Sequence, residues 1–201
     1  MIVIEGSHGG GQLLRTALSL SAATGKEFEI RNIRGQREEQ GLKPQHLTAV
    51  YALQKLCRAE VTGASLGSTK LTFRPHEIES GHYRFDIGTA GSTTLLLQTL
   101  IPACLHGERE SVIDVIGGTD TKWCPPSLYF THTFGDFLKR MGIHAECKIE
   151  RFGFYPKGGG KIICRVKPCK VLKDIHFTER GKRKGIHVAA YASADLQTRE
   201  V

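Results

Sequence analysis

Apolar positions along this 201-residue chain switch repeatedly between the two-residue period of a strand and the 3.6-residue period of a helix. "IVIEG" (2–6) reads as a short strand. "GQLLRTALSLSAATG" puts Leu14, Ala17, Leu18 and Ser21 on one helical face, with Gly25 as its stop. "KEFEIRNIR" alternates through Phe28 and Ile30 and reads as a strand. "KPQHLTAVYALQKLCRA" carries a second helical stripe of Ala49, Val50, Leu53, Leu56 and Cys57. "EVTGA" and "TKLTFRP" are two strands around the turn "SLGS".

The same βαβαββ order follows again. "YRFDIG" is a strand with Tyr83, Phe85 and Ile87 on one face, and "STTLLLQTLIPACLHG" is a helix. "SVIDVIGG" is an apolar strand. "PPSLYFTHTFGDFLKRMG" is a helix with Phe130, Phe134, Phe137 and Met141 on one stripe. "HAECKIERFGF" and "GKIICRVKP" are strands joined by "YPKGGG". A supersecondary unit repeated after roughly eighty residues is the simplest account. The expected fold class is α/β (α+β), with helices packed on one face of each sheet. Units one and two span 1–80 and 81–169, and 170–201 begins a third. Its strands would be "KDIHFTERG" and "GIHVAAYAS", with no helix to cover them.

Composition adds bounds. Hydrophobic residues make up 40% and charged residues 24%, the balance of an ordinary globular protein. No run approaches the ~20 apolar residues of a membrane span. The N-terminus lacks a basic region, so no signal peptide is expected. The formal charge of +8 favours a polyanionic partner, while a solvated basic surface is the plain alternative. Six cysteines are scattered with no C-x-x-C, which points away from a zinc site or a disulfide scaffold. A reducing cytoplasm is the expected location.

Both units place a glycine-rich turn between first strand and first helix: "EGSHGGGQLLR" and "DIGTAGSTTLL". A helix N-terminus presents unpaired N–H groups and the positive end of a dipole. With no side chain in the way, as at Gly11 and Gly91, an anion can approach that backbone closely. Capping and tight packing are the alternative, but duplication beside basic residues favours the anion. Neither turn is a Walker loop or a Rossmann fingerprint. Arg15 lies one turn into the first helix, and the following loop supplies Arg31, Arg34, Arg37, Lys43, Gln45 and His46. Guanidinium forks grip phosphates. Pro44 suits a first helical turn, which sets Gln45 and His46 at a positive end. His46 also fits a purely structural role.

Gln98 interrupts a helix that is apolar nearly all round, so its amide is expected to be buried. Pro102 has no N–H for the carbonyl of Gln98, so a bend is expected, with side chain and carbonyl free for a ligand. Bonding to a neighbouring strand is the alternative. In "GGTDTKWCPPSLY", Trp123 and the prolines could sandwich a base or pack a helix start. The glycines of "RFGFYPKGGGK" turn a hairpin, and no chemistry is assigned to them.

Taken together, "GGGQLLRTALSLS", "GLKPQHLTAV", "LGSTKLTFRP", "YRFDIGTAGSTTLLLQTLIPA", "GGTD" with "PPSLY", "GFYPKGGG" and "FTERG" strongly resemble the RNA 3'-terminal phosphate cyclases, from Ile2 to about Ala190. The resemblance implies three repeated units, with a small domain inserted in the third. It implies an ATP-dependent ligase-type reaction at RNA 3' ends, with a divalent cation, Mg or Mn. A histidine takes AMP from ATP and passes it to the RNA 3'-phosphate. The neighbouring 2'-hydroxyl then displaces AMP and closes a 2',3'-cyclic phosphate. By motif, Arg15, Arg37 and Gln45 fall on phosphate-handling positions, Gln98 on a nucleotide-contacting position, and Pro125 near the adenine. The cofactor set is Gln98, Arg15, Pro125, Gly11 and Gly91. The RNA set is Arg34, Arg37, Gln45 and His46.

Two departures stand out. The family turn before "GGGQ" ends in a metal-binding glutamate, and here His8 replaces it. Imidazole suits Mn²⁺ or Zn²⁺ better than Mg²⁺, and Glu5 is the other candidate donor. None of the nine histidines matches the family's nucleophile motif, whose region lies beyond Val201. No catalytic residue is identified. The expected function is therefore a truncated or partial cyclase, with a homo-oligomer or a companion C-terminal chain as possible partners. A non-catalytic cyclase-like RNA-binding or RNA-processing factor is the alternative, and an enolpyruvate-transferase-like enzyme a weaker one.

Overall fold

The computed structural model describes residues 1–192. Two four-stranded sheets and four α-helices alternate in it. The first half runs β1 (Ile2–Glu5), α1 (Gly11–Thr24), β2 (Phe28–Arg31), α2 (Pro44–Leu56), β3 (Glu60–Thr62) and β4 (Leu71–Arg74). The second runs β5 (His82–Asp86), α3 (Thr93–Cys104), β6 (Ser111–Gly117), a π-helical turn (Tyr129–Phe134), α4 (Gly135–Arg140), β7 (Ala145–Arg151) and β8 (Gly160–Val166).

The two halves share one topology. The sheets have the orders β1-β2-β4-β3 and β5-β6-β8-β7. In each, the first pair is parallel and the last strands return antiparallel. A parallel pair needs a crossover, and α1 and α3 supply it. α1 packs on β2 and β4, and α3 packs on β6 and β8. α1, α2 and α3 also pack on one another, so a shared helical layer lies between the halves.

The predicted stripes are the core. Leu14, Leu18, Ala49, Val50, Leu53, Leu56 and Cys57 are buried and join Leu97, Leu100 and Ile101 of α3 in one apolar cluster. Gly25 ends α1 in the left-handed conformation, at φ 68°, where L side chains are strained. Burial pushes the thiols of Cys57 and Cys104 up to about 11 and about 12, so both act as small hydrophobes.

Three expectations need correction. The strands predicted over 173–181 and 185–193 do not form among the described residues, and Ser193 lies outside them. Residues 171–192 are almost wholly exposed and none of them joins a described sheet, although the Lys173 N–H donates to the Met141 carbonyl at 2.9 Å. Phe137, expected in the buried stripe, is 39% exposed, while Leu138 is buried. The wide π-helical turn before α4 holds one extra residue and shifts the phase. Cys147 and Cys164 form a disulfide, because the β7–β8 register sets them directly opposite. That register is set by tertiary pairing and could not be counted from cysteine spacing.

Phe73 is fully buried and stacks on Phe28 at 5.9 Å. Phe73→Ala is expected to cost about 3–5 kcal/mol. Urea unfolding should show a lower midpoint with an unchanged slope.

Candidate functional site

The starts of α1, α2 and α3 meet at one end of the helical layer, and glycine makes the meeting possible. A Cβ on Gly11 would collide with the His46 ring and reach 3.0 Å from the Arg15 guanidinium. A Cβ on Gly91 would lie 2.7 Å from Ile87 and 3.2 Å from the Gln45 Cβ. The first turns of these three helices hold no acidic residue, and no side chain caps α1. At α3 the Ser92 hydroxyl accepts from the Leu95 N–H at 3.2 Å. Several positive helix ends therefore face one hollow.

Basic residues line it. A cavity of about 530 Å³ is bounded by Gly10, Gly11, Arg15, Arg34, Arg37 and Lys43, together with Gln45, His46, Leu95 and Trp123. The loop carrying the arginines is pinned at both ends. The Gln36 N–H donates to the Ser7 carbonyl at 3.0 Å, and the Gly41 N–H to the Ile33 carbonyl at 2.8 Å. Ile33 and Leu42 anchor that loop in the core. Arg37 is thereby held against Gly10, 3.5 Å from where its Cβ would stand. Lys43 is paired with Glu39. Among the described residues, Arg15, Arg34 and Arg37 form no salt bridge, and Glu39, paired with Lys43, is the carboxylate whose charge also acts on Arg34. Arg15 donates to the Gln12 amide oxygen and Arg34 to the Gly41 carbonyl, each at 3.2 Å. The cavity therefore carries uncompensated positive charge, the state that an incoming phosphate would neutralise.

His46 is buried and has a local task. Its Nδ1 accepts the Lys43 N–H at 3.1 Å, which closes the start of α2. The proton of the neutral ring then sits on Nε2, the atom turned towards Gly11. Burial, reinforced by Arg15, Arg34 and Lys43, lowers its pKa to about 4. At neutral pH His46 is a neutral donor at the cavity wall.

Gln98 is half-buried, so the expected sealed amide is corrected. It opens onto a smaller hollow between α1 and α3, with Gln12, Arg15, Thr16, Thr99 and Pro102. Arg15 joins this hollow to the first. α3 continues through Pro102 to Cys104, which leaves the Gln98 carbonyl without its helical donor.

Pro125 lies on the loop after β6, whose conformation is tightly held. Its carbonyl accepts from Thr94 at 2.9 Å. Asp120 accepts from the Ser127 N–H at 2.9 Å and from the Ser127 hydroxyl at 2.7 Å. Sequence reasoning missed Tyr155. Gly158, at φ 69°, lies against the Thr89–Ala90 backbone, and this brings the β7–β8 turn to the cleft. Tyr155 lines a third cavity there, of about 560 Å³, with Gly91, Leu95 and Trp123. No residue spacing signals that approach, since it depends on how the hairpin folds back onto a distant turn.

The implied divalent cation does not fit these residues. Among the described residues no group of three or more His, Cys, Asp or Glu could hold a metal ion. The Glu5 carboxylate accepts from the Ser7 N–H and the Asn32 amide, and these bonds hold its pKa below the usual carboxylate range. His8 adds one further donor at most.

The buried neutral His46 makes stability pH-dependent. Its folded pKa lies below the unfolded value of 6.5, so the unfolded chain binds the proton more readily. This contribution is fully present above pH 6.5 and declines as pH falls towards about 4. The expected loss is on the order of 3 kcal/mol. Denaturant midpoints measured across this range should show the decline, and His46→Gln should flatten it.

The family model described as RNA 3'-terminal phosphate cyclase matches residues 7–197. The protein of that name from Koribacter versatilis is 45% identical over 206 residues, covering 100% of this chain and 58% of its own. Those from Caldivirga maquilingensis and Pyrococcus furiosus are 47% and 44% identical, with 96% and 100% of this chain covered. This chain covers 55% and 60% of those two proteins, so it spans little more than half the length of these curated relatives. A solved EPSP synthase from Acinetobacter baumannii overlaps with a TM-score of 0.39 and 13% identity, over 87% of this chain and 49% of that one, which is too weak to argue from. By the family model and these relatives together, the chain belongs to the RNA 3'-terminal phosphate cyclase family.

Proposed function

We propose that this chain forms the nucleotide- and RNA-phosphate-binding part of an RNA 3'-phosphate cyclase. The observation that carries the proposal is the group of three guanidiniums that form no salt bridge among the described residues, set against glycine-lined helix starts. In the ATP-dependent reaction, the RNA 3'-phosphate accepts AMP, and the adjacent 2'-hydroxyl then expels it to form the 2',3'-cyclic ester. Negative charge accumulates on phosphate oxygens throughout, so fixed donors and cations that hold those oxygens in place supply most of what the protein must do.

Arg34, Arg37 and Gln45, with the neutral Nε2–H of His46, are assigned to the RNA 3'-phosphate. Arg15, between the two hollows, is assigned to the phosphates of ATP, and Gln98 and Pro125 to its nucleoside. Gly11 and Gly91 let both ligands reach helix backbone. A divalent cation remains part of the family's chemistry, but no step is assigned to it on these residues. We extend the proposal to units bounded at 1–80, 81–169 and 170–201 and to a cytoplasmic location, where the Cys147–Cys164 pair would be held reduced. Edge strand β1 exposes Ile2 and Val3, which supports pairing with a second copy or a companion chain.

One observation favours a second reading, a non-catalytic RNA-binding factor on the same scaffold. His46 is the buried histidine of the cavity; the Lys43 N–H takes the lone pair of its Nδ1 and its Nε2 carries the proton, so neither nitrogen offers a lone pair. It is not presented as a nucleophile. ATP labelled at the α-phosphate separates the readings. Label transferred to this chain would contradict the second reading. Label that moves only onto a supplied C-terminal fragment would mark a divided cyclase.

The binding assignment has its own test. Arg37→Ala should weaken binding of a 3'-phosphorylated RNA by tenfold or more. It should also lower the slope of log affinity against log salt by about 0.7, the value for one phosphate contact on a single strand. The exposed Lys26→Ala should change neither. Equal losses in both variants would mean that general surface charge, and not the cavity, holds the RNA.

A further inference from the structure

Trp123 is 97% exposed, the most exposed of the large apolar side chains among the described residues. It therefore does not pack a helix start. Its φ is 66°, a backbone region that a bulky L residue enters only when its surroundings hold it there. The surroundings do so. The Cys124 thiol donates to the Thr121 carbonyl at 2.9 Å, and the Asp120–Ser127 and Thr94–Pro125 bonds brace either side. The loop is held tightly while its aromatic ring is held out into solvent.

The position of that ring is informative. Trp123, Gln45 and Leu95 border both the arginine cavity and the third cavity. The third cavity continues past them to Tyr155, itself 81% exposed, with Lys122 and Cys124 on its wall. The hollow that holds Gln98 shares none of its residues with this one. The arginine cavity opens past Trp123 towards Tyr155 and past Arg15 towards Gln98, and the first of these gives a molecule whose phosphate rests among Arg34 and Arg37 a route for its next group.

We infer that Trp123 and Tyr155 form a stacking platform for the base of the RNA's 3'-terminal nucleotide, the one whose phosphate lies in the arginine cavity. The inference rests on the RNA-phosphate reading above. Every base has a flat π-face, so such a platform accepts any terminal base and needs no sequence-specific hydrogen bonds. An enzyme of RNA ends would gain orientation in this way: stacking would fix the rotation of the terminal ribose relative to its phosphate. RNA is favoured over the adenine of ATP because the platform borders the cavity of Arg34 and Arg37 and shares no residue with the Gln98 hollow; Pro125, assigned to the ATP nucleoside, lies two residues along the same loop but does not line the platform cavity.

Trp123 is the chain's only tryptophan, so its fluorescence reports the platform directly. The probes are a short 3'-phosphorylated RNA, the same RNA with an abasic terminal nucleoside, and ATP alone. Affinity is read in parallel by anisotropy of a 5'-labelled strand. The intact RNA should quench Trp123, and the abasic RNA should not. Loss of the base, or Trp123→Ala, should weaken binding about 5- to 150-fold, and the two losses together should not add. Trp123→Phe should retain most of the affinity. If intact and abasic RNA bind equally while Arg37→Ala still abolishes binding, the platform is wrong and the phosphate reading stands. If ATP alone quenches as strongly as RNA, the base on the platform is adenine and the RNA assignment is overturned. If wild-type protein binds no RNA, or Arg37→Ala leaves binding intact, the phosphate reading falls and takes the platform with it.

Discussion

The contact between Gly11 and the His46 ring is the constraint on which the rest of the site depends. It is a contact of absence: only a residue without a Cβ lets the first turn of α1 lie this close to the first turn of α2. Gly91 repeats the device from the second half, against the Cβ of Gln45. Because the helix starts converge, their unpaired amides and the guanidiniums beside them act on the same small volume. A methyl group at either glycine would push the helices apart and dilute the positive charge that this volume concentrates.

The helical layer behind the cleft is what makes the convergence rigid. Residues from α1, α2 and α3 pack into one apolar cluster, fully buried through Leu18, Leu53 and Leu97. Each helix alone would be marginal, since short helices owe most of their stability to tertiary packing. Packed together, they fix the directions of three N-termini at once. The cleft is therefore a product of the core, and its geometry is as stiff as the leucines beneath it.

Much of this was legible from residue order alone. The stripes of α1 and α2 are buried as their spacing required, because a 3.6-residue period is a local property of the chain. The glycine turns, the arginine loop and Gln98 were found by their chemistry, and the structure gathers them into adjoining hollows. What escaped was set by tertiary register. The Cys147–Cys164 pairing depends on which residues of β7 and β8 lie opposite. The exposure of Phe137 depends on one extra residue in the π-helical turn. Tyr155 reaches the cleft because Gly158 seats the hairpin on the Thr89–Ala90 backbone. The strands expected after residue 170 had the right alternation, yet alternation without a neighbouring strand is not a sheet.

The arginines come from the first half of the chain, while Gly91, Gln98 and Trp123 come from the second. Neither half, cut free, would own a complete cleft. Any anion that settles there spans the seam and is lost when the seam opens, so occupancy and cohesion of the halves are linked by mass action. Such a ligand would work as a rivet through the duplicated body, adding its binding energy to the helical layer that already joins the two lobes.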